Sequence, residues 1–464
     1  MIRSPAGFDG GDRIKRYLDY YQPSYGVTML SAGQFSPASL FAAGEQGVWY
    51  DPSDYSTMFQ DAAGTTPVTA VEQTVGLILD KSGRSNNASQ STLGSRPVLS
   101  ARVNQLTYTE NFSNAAWAKL RATATTDKVS SDATLVQSFM QVQQDVTKAA
   151  LSLTYTVSFE AKEAELRYLS IALQDNTNSN GVFVQTDTRN ASSTAQGAFG
   201  SGFTLNTVTR TLLSDGYCRI VISVTTNTST TLRMSNAISK NSTFSVTSYT
   251  IGEGMFVRNA DIRSSNDGVG LPSYQRVNAS TDYDVSGFPF YLLFDGANDS
   301  LATSNIDFSA TDNMSVFAGV RKLSDAAQGV VAELTATIAS NDGAFLLAAP
   351  DGATATFAFD SKGTIQVDAV ASSQTSPLTA VLTGTASISA DTCILRVNGT
   401  QADSDTGNQG SGNYANAALY IGRRGGATVP YSGRLYSLIV RGASSTATQI
   451  DNTEIWVNNK TKAY

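Results

Sequence analysis

Two clusters of oxygen-bearing side chains have the residue types that bind calcium. The first is Asp295, Asn298 and Asp299, in a turn that follows an apolar run. The second cluster comprises Asp403, Asp405 and Asn408. Calcium takes roughly six to eight oxygen ligands from such loops, but neither cluster has EF-hand spacing. Asp and Asn also satisfy their own backbone in turns. We therefore expect turn formation at both places and keep calcium at the first cluster as the metal hypothesis.

Aromatic, amide and guanidinium side chains suggest a second kind of site, one for carbohydrate. Glycans are held by aromatic faces together with hydrogen bonds from amides and charged groups. Arginines in a glycine-flanked loop, GSGNYANAALYIGRRGGATVPY, suit an acidic sugar or a partner subunit. The candidate sugar-binding residues are Trp117, Tyr414, Asn416, Arg423 and Arg424. The alternatives are a core position for Trp117 and a solvated hairpin for the loop. We place Trp49 and Trp456 in the core.

The residue types of this chain support a catalytic function less than they support a binding function. The chain has no histidine, which excludes Ser-His-Asp and Cys-His catalysis as well as His-ligated zinc. Glycoside hydrolysis needs two carboxylates about 5–10 Å apart, yet no strand carries an E-x-D-x-E pattern. No G-x-x-x-x-G-K-[ST] motif is present for phosphate. We therefore expect a protein that is not an enzyme.

Composition narrows the partners further. The 464 residues include 32 basic and 39 acidic side chains, for a net charge of −7, so nucleic acid is an unsuitable partner. No apolar run approaches the roughly 18 residues of a membrane span, and the N-terminus has no apolar region typical of a signal peptide. The two cysteines, Cys218 and Cys393, stand in alternating apolar runs and are expected to be buried small hydrophobic residues, with a disulfide between them as the alternative.

The elements that would position such sites are mostly strands. Apolar residues alternate in LSLTYTVSFEAK from Leu151 and in YCRIVISVTT from Tyr217, whereas RLYSLIVRG is apolar on both faces. Asn398-Gly399 predicts a hairpin turn. Val316, Ala318 and Val320 share one side of a further strand. Many short strands between Ser/Thr/Asn/Gly clusters indicate an all-β protein with two β-sandwich or jelly-roll domains.

Two helices are expected at the ends of the chain. Ile14, Tyr17, Leu18 and Tyr21 are spaced as one helical face within a short aromatic segment. That segment, residues 1–45, is expected to serve in attachment or oligomerisation, or to pack on its own domain. At the other end, Thr448 and Asp451 form a capping-box pattern, and Ile450, Thr453, Trp456 and Val457 make one face.

Three phrases, taken together, resemble tailed-bacteriophage virion proteins. They are GVWYDPSDYSTMFQDAAGTTPVTAVEQTVGLILDKSGRSNNASQ at 47–90, NQLTYTENFSNAAWAKLRATAT at 104–125, and YLLFDGANDSL from Tyr291 with the final IWVNNKTKAY. The resemblance covers residues 40–464. It implies a concanavalin A-like (laminin-G-like) jelly roll and a carbohydrate-binding-module-like sandwich.

The order of these phrases implies an insertion. In relatives of this type the first phrase runs almost directly into FDG, whereas here Pro97 and Phe294 stand far apart. We therefore expect the laminin-G-like domain to consist of 46–103 and 283–464, with the second sandwich, 104–282, inserted in it. Three domains in series are the alternative. Insertion at an exposed loop costs little because domain termini often lie close together.

The resemblance also implies a role. We expect a bacteriophage structural protein, a fibre, spike or head/neck appendage, that displays lectin-like domains for adhesion to host-surface polysaccharide. Residues 1–45 would contact other virion proteins, and the protein would be a homo-oligomer, with a trimer favoured, located in the virion after assembly in the host cytoplasm. The alternatives are a decoration or cement protein without ligand and a polysaccharide depolymerase. No cofactor is expected apart from calcium.

Overall fold

The computed structural model describes residues 35–464. The helix predicted at Ile14–Tyr21 lies outside these residues and stays a prediction. Within 35–464, no helix is both long and apolar enough to cross a membrane. Short 3₁₀ helices occur at Pro37–Phe41, Tyr55–Thr57 and Leu93–Ser95. The first strands in the chain are β1 (Gly47–Tyr50), β2 (Met58–Phe59), β3 (Leu77–Ile78), β4 (Ala88–Ser89) and β5 (Val98–Ser100).

The middle of the chain supplies the next run of strands. In chain order these are β6 (Ala118–Leu120), β7 (Ala122–Ala124), β8 (Lys128–Ser131), β9 (Leu135–Gln137), β10 (Met140–Thr147), β11 (Thr154–Glu163), β12 (Tyr168–Asp175), β13 (Gly181–Asp187), β14 (Ser192–Phe199), β15 (Thr204–Leu212), β16 (Cys218–Thr225), β17 (Thr231–Ser239), β18 (Thr247–Tyr249) and β19 (Gly254–Ser264).

The last third of the chain completes the strands and adds one α-helix. The strands are β20 (Val277–Ala279), β21 (Asp282–Tyr283), β22 (Tyr291–Asp295), β23 (Leu301–Asp307), β24 (Asn313–Lys322), β25 (Val330–Leu334), β26 (Ala344–Ala348), β27 (Phe357–Lys362), β28 (Gln366–Ala371), β29 (Leu378–Ser387), β30 (Thr392–Val397), β31 (Thr400–Asp405), β32 (Asn416–Ile421), β33 (Arg423–Arg424), β34 (Thr428–Pro430) and β35 (Ser432–Arg441). Helix α1 spans Ala447–Thr461.

The first sandwich consists of two antiparallel sheets. Sheet A has the order β31-β30-β29-β24-β35-β22-β5, with β1 also paired to β35. Sheet B has the order β2-β3-β4-β23-β32-β25-β26-β27-β28. Both sheets combine strands from residues 47–100 with strands from 291–441. This distribution supports the insertion hypothesis, while the exact domain boundaries stay predictions.

Sheet A is buried on both faces, which explains its doubly apolar strands. Val316, Ala318 and Val320 of β24 lie in the core between the sheets, as their alternation predicts. The other face carries helix α1, which contacts β24, β29 and β35. The helix approaches so closely that a Cβ at Gly319 would lie 2.0 Å from Thr461 Oγ1. Strand β35 is buried along nearly its whole length for the same reason.

The N-cap of helix α1 lies two residues before the predicted one. Thr446, rather than Thr448, is the N-cap, and Gln449, rather than Asp451, completes the capping box. Thr446 has the extended backbone that an N-cap needs, whereas Thr448 is already inside the helix. On the same helix, the Trp456 ring meets Trp49 edge to face at 5.5 Å between centroids.

The second sandwich is built wholly from residues 118–264 in its two large sheets. Sheet C has the order β14-β13-β12-β17-β10-β6, and sheet D the order β15-β16-β11-β19-β8-β7. Strand β16 alternates as predicted, with Cys218, Ile220, Ile222 and Val224 buried. The prediction for Leu151 was wrong, because β11 starts only at Thr154 and Leu151 is 40% exposed in the preceding turn.

Smaller features also match their predictions. Asn398 and Gly399 have φ of 52° and 78° and connect β30 to β31, the backbone that a two-residue hairpin turn requires. Cys218 and Cys393 are buried and unpaired.

Two buried amide side chains fasten the ends of the second sandwich to each other. Asn104 Nδ2 donates to the backbone oxygens of Ala260 and Gln275, at 2.9 Å each. Gln275 Oε1 accepts from the backbone nitrogens of Val103 and Asn104, at 2.8 and 3.0 Å. Both side chains are fully buried. The chain therefore enters and leaves this sandwich at one point.

Candidate functional site: an open groove on the second sandwich

The outer face of sheet C carries side chains in regular rows across its strands. Cross-strand pairing sets Gly197, Phe183, Ala172, Ser235 and Gln143 in one row. The neighbouring row comprises Ala195, Gln185, Ser170, Ala237 and Gln141. Residues directly opposite each other on antiparallel strands point to the same face. The rows therefore form one continuous surface on the side away from the core.

The middle of this surface is low because its side chains are small. Ala172, Ser235, Ser170 and Ala237 occupy the central strands β12 and β17. Phenylalanines stand around them and form walls on both sides. The lining aromatic residues are Phe139, Phe183, Phe199 and Phe244. The result is a groove of about 320 Å³, which we call the sheet C groove.

One wall of the groove is held by an unusual backbone conformation. Phe244 has φ of 52°, a left-handed conformation that is rare for an aromatic residue. Asn241 supports it, since its Oδ1 accepts from Ser245 N at 3.0 Å and its backbone oxygen accepts from Phe244 N at 3.3 Å. The turn thus holds the Phe244 ring at the groove.

Amide side chains supply the polar groups of the groove. Gln141 Nε2 donates to Gln143 Oε1 at 3.0 Å, and Gln174 Nε2 donates to Asn178 Oδ1 at 2.6 Å. Among the described residues, the Gln185 side chain has no hydrogen-bond partner, and it is half-buried in the groove. These amides can both donate and accept.

An ion pair stands at each end of the groove, and the Arg121 guanidinium, which forms no ion pair among the described residues, lies 4.8 Å from the centroid of the Phe139 ring. At one end Arg233 Nε lies 2.7 Å from Asp145 Oδ1. At the other end Arg167 Nε donates to Asp187 Oδ1 at 2.7 Å, and this hydrogen bond lowers the pKa of Asp187 below its ordinary value. The lining itself is aromatic, amide and hydroxyl. Such a surface can pack on the C–H face of a sugar and bind its hydroxyls.

Two of the sequence-predicted sugar-binding aromatics are in the core instead. Trp117 is 1% exposed, and its ring packs on Phe112 at 4.8 Å between centroids. Its indole Nε1 donates to Tyr108 O at 2.9 Å. Tyr414 is also 1% exposed, and its hydroxyl lies 2.7 Å from Ser361 Oγ. Their selection as sugar-binding residues was wrong, because a buried ring presents no face to a ligand.

The remaining three residues of that set do not form a site together. Asn416 is exposed at the start of β32, whereas Arg423 and Arg424 follow the end of that strand, roughly 20 Å further along at strand rise. Arg424 Nε lies 2.9 Å from the carboxylate of Glu333, which is fully buried. Arg424 is thus occupied within the fold, and the predicted cluster is not assembled.

The calcium cluster does not fit the metal. Asp295 Oδ1 accepts from Ala297 N at 2.7 Å and from Asn298 N at 3.0 Å. Asp299 Oδ2 accepts from Asp295 N at 3.0 Å. The Arg423 guanidinium lies 3.4 Å from Asn298 O. Its positive charge would repel a metal ion bound at the same turn. In residues 35–464, no three acidic, His or Cys side chains are grouped to hold a metal ion. These hydrogen bonds agree with the other expectation for this cluster, that its Asp and Asn side chains form a turn.

The second acidic cluster also serves the backbone. Asp403 Oδ2 accepts from Val370 N at 2.7 Å, Asp405 Oδ1 from Gly407 N at 2.6 Å, and Asn408 Oδ1 from Gly410 N at 2.7 Å.

One pair of carboxyl groups has the perturbed acidity that hydrolysis requires, but not the access. Asp360 and Asp368 are cross-strand partners on β27 and β28. Burial, with the charges of Asp351 and Asp368, raises the pKa of Asp360 to about 8, although the hydrogen bond from Gln366 opposes this. Asp360 is 5% exposed, and its Oδ1 is closed to solvent. A polysaccharide cannot reach it, so this pair does not favour a depolymerase.

Sequence reasoning missed the sheet C groove, although one signal for it is present. Phe183 lies between Val182 and Val184, which are fully buried, so its ring must face outwards. A phenylalanine on the solvent-facing side of an alternating strand indicates an interaction surface.

Comparison with known proteins finds one family model that matches part of the first sandwich. Residues 295–451 match the model of the concanavalin A-like lectin/glucanases superfamily, which is less than half of the chain. No curated protein matches the sequence.

Solved structures are similar to parts of the chain only. The CBM40 of the Ruminococcus gnavus IT-sialidase, bound to α2,3-sialyllactose, has 11% identity and a TM-score of 0.26, over 31% of this chain and 83% of that one. A native heptameric SAP-like pentraxin from Limulus polyphemus has 13% identity and a TM-score of 0.28, over 34% and 78%. The botulinum neurotoxin type G receptor-binding domain has 12% identity and a TM-score of 0.29, over 40% and 45%. These TM-scores carry no argument about function.

Proposed function

We propose that this protein binds glycans without cleaving them, and that the sheet C groove is its binding surface. The observation that carries the proposal is the arrangement of four phenylalanines around a floor of small and amide side chains. Ligand sites are typically concave and apolar, with a few polar groups that fix orientation. A sugar presents both an apolar face and hydroxyls, so it matches this lining.

The biological setting that we propose is adhesion of a bacteriophage particle to host-surface polysaccharide. Its support is the resemblance of the three sequence phrases to tailed-phage virion proteins, together with the lectin superfamily match of residues 295–451. Residues 1–45 would attach the protein to the virion, and a homo-oligomer, a trimer in our proposal, would multiply a weak contact through avidity. A cement protein without ligand and a depolymerase are the competing functions.

Binding to purified bacterial surface polysaccharides tests the proposal. We expect the full-length protein to bind at least one of them, and Phe183→Ala to weaken that binding about tenfold, equivalent to about 1.4 kcal/mol. Phe199→Ala should act in the same direction. Phe256→Ala is the matched control, because Phe256 is a half-buried phenylalanine on sheet D of the same sandwich.

Four outcomes separate the candidate functions. Binding that Phe183→Ala weakens and Phe256→Ala leaves intact supports the groove. Binding that both variants leave intact places the glycan elsewhere. Release of reducing ends from the polysaccharide would overturn the non-enzymatic proposal, and absence of any binding would favour a cement protein.

A further inference from the structure

A second cavity lies between the two sandwiches, and both contribute to its walls. Its larger part has a volume of about 580 Å³ and a smaller part adds about 210 Å³. The two parts share the lining residues Gln105, Leu323 and Arg434. We call them together the inter-sandwich cleft. Neither the sequence phrases nor the superfamily match assigns it a role.

Two arginines in this cleft share one carboxylate. Arg434 Nη1 lies 2.6 Å from Asp267 Oδ1, and Arg321 Nε lies 3.3 Å from the same oxygen. All three side chains are largely buried. One negative charge against two positive charges leaves an excess positive charge in a region of low solvent access, where charges interact more strongly than in water.

The two arginines differ in how many of their donors are used. Arg321 Nη1 donates to Asn266 O and Thr379 Oγ1, both at 2.7 Å, so that side chain is held on several sides. Arg434 donates from Nη1 to Asp267 Oδ1 at 2.6 Å, and its guanidinium also interacts with the Tyr436 hydroxyl, which leaves some of its five N–H groups unused. Its guanidinium lies over the Tyr291 ring at 4.5 Å. Arg434 is therefore held in place with donors to spare for an anion.

An unsatisfied acceptor lies in the same cleft. Gln105 lines both parts, and its Oε1 is buried without a hydrogen-bond partner among the described residues. A buried polar atom without a partner is costly and rare, and it often marks a position that a ligand fills. The Tyr155 hydroxyl lines the cleft and interacts with the same amide side chain, so the unfilled position in the cleft is at Gln105 Oε1.

The acidic groups of the cleft are already engaged. Glu72 Oε1 accepts from Ser100 Oγ and from Tyr283 Oη, at 2.6 Å each. Asp145 pairs with Arg233 at 2.7 Å. The basic groups Arg102 and Lys148 line the cleft as well, so the surroundings do not oppose an anion.

We propose that the inter-sandwich cleft binds an acidic sugar residue. Its carboxylate pairs with Arg434, and one of its hydroxyls donates to Gln105 Oε1. A neutral sugar would leave the excess positive charge of the two arginines unbalanced, and a simple anion would leave Gln105 Oε1 without a donor. The site is independent of the sheet C groove and uses different residues.

Titration of the full-length protein with glucuronate, followed by NMR or by thermal unfolding, tests this proposal. Glucose, acetate and sulfate are the comparison ligands. We expect saturable binding of glucuronate. Each of the other three ligands should bind at least tenfold more weakly. Arg434→Lys should weaken glucuronate binding at least tenfold, because lysine keeps the charge but loses the planar fork.

Two further variants keep the test decisive. Gln105→Ala removes the unpartnered acceptor without touching the Arg434–Asp267 pair, so it remains informative if Arg434→Lys fails to fold. We expect it to weaken glucuronate binding at least threefold. Phe183→Ala should leave glucuronate binding unchanged, which separates this site from the proposed glycan groove.

Several results would overturn the proposal. They are no response to glucuronate, equal responses to acetate or sulfate, and glucuronate binding that Gln105→Ala leaves unchanged. Loss of glucuronate binding in Phe183→Ala would also overturn it, by placing the acid in the sheet C groove.

Discussion

Sheet B and sheet C belong to sandwiches of similar architecture, but their outer faces differ. The outer face of sheet B is covered by a loop, whereas that of sheet C carries an open groove. On sheet B, Val330, Leu346 and Ala358 are buried beneath Ile338 from a crossing loop. Lys362 Nζ donates to Ile338 O at 3.0 Å, which fastens that loop to the sheet. On sheet C, half-buried phenylalanines line an open groove over a floor of small side chains.

This difference shows that a superfamily match does not single out the face that carries an open groove. The matched sandwich has covered the middle of its outer face, whereas the unmatched second sandwich keeps its groove open. Fold alone does not assign function, and the chemistry of each face has to be read separately.

The largest expected effect comes from the interior of the second sandwich. Trp117→Ala should lower the free energy of unfolding by about 3–5 kcal/mol, because it leaves a cavity beside Phe112 and removes the hydrogen bond to Tyr108. Urea denaturation measures it, with Trp117→Phe as a milder control. If Trp117→Ala weakened glycan binding but left stability intact, the assignment of Trp117 to the core would be wrong.

The covered face of sheet B should respond to pH. Asp360 has a pKa raised to about 8 in the folded state against an ordinary value of 3.8. Between these values the folded protein keeps a proton that the unfolded chain has lost, so stability falls as pH rises. The slope is at most about 1.4 kcal/mol per pH unit.

Asp360→Asn should remove that slope and stabilise the protein at pH 7 by about 1–4 kcal/mol. Denaturant unfolding at pH 5, 6, 7 and 8 compares the two proteins. The exposed partner Asp368 gives the control variant, Asp368→Asn, which should change the slope less. Parallel curves for wild type and Asp360→Asn would show that Asp360 ionises normally.

The same substitution on the two outer faces tests the comparison directly. Ala358→Leu adds volume beneath the covering loop of sheet B and should cost about 1–3 kcal/mol of stability. Ala172→Leu adds the same volume to the floor of the open groove, so it should cost less than about 0.5 kcal/mol but block glycan binding. Thermal unfolding and polysaccharide binding are measured on both variants. Ala358→Leu should lower stability more, and Ala172→Leu should lower polysaccharide binding more.

The smallest expected effect is that of metal removal. EDTA should leave the unfolding temperature and glycan binding unchanged, because Asp295 and Asp299 already accept backbone hydrogen bonds. Added calcium should likewise have no effect, with magnesium as the control ion. A rise in the unfolding temperature on addition of calcium alone would restore the calcium hypothesis.

The fold was largely predictable because burial leaves periodic signals along a strand. Cys218, Ile220 and Ile222 alternate as a half-buried strand must, and the doubly apolar β35 proved to be covered on both faces. The groove was not predictable in the same way. Phe183, Ala172 and Ser235 become neighbours only through cross-strand register, which depends on pairings between distant segments.

The predicted site residues failed for a related reason. Trp117 and Tyr414 were chosen by residue type, since tryptophan and tyrosine commonly bind sugars, but type does not report which way a ring points. Arg423 and Arg424 were chosen by adjacency in sequence. In a strand, neighbours point to opposite faces, so adjacency separates side chains instead of gathering them.

The buried pair Asn104 and Gln275 has a consequence for how such a protein can change. Because the chain enters and leaves the second sandwich at one fastened point, this sandwich can be exchanged for another domain whose ends are similarly spaced. The strands of the first sandwich would not need to change. Recombination between genes could therefore replace the sheet C groove in a single step. The first sandwich would keep both of its sheets and helix α1 after such an exchange.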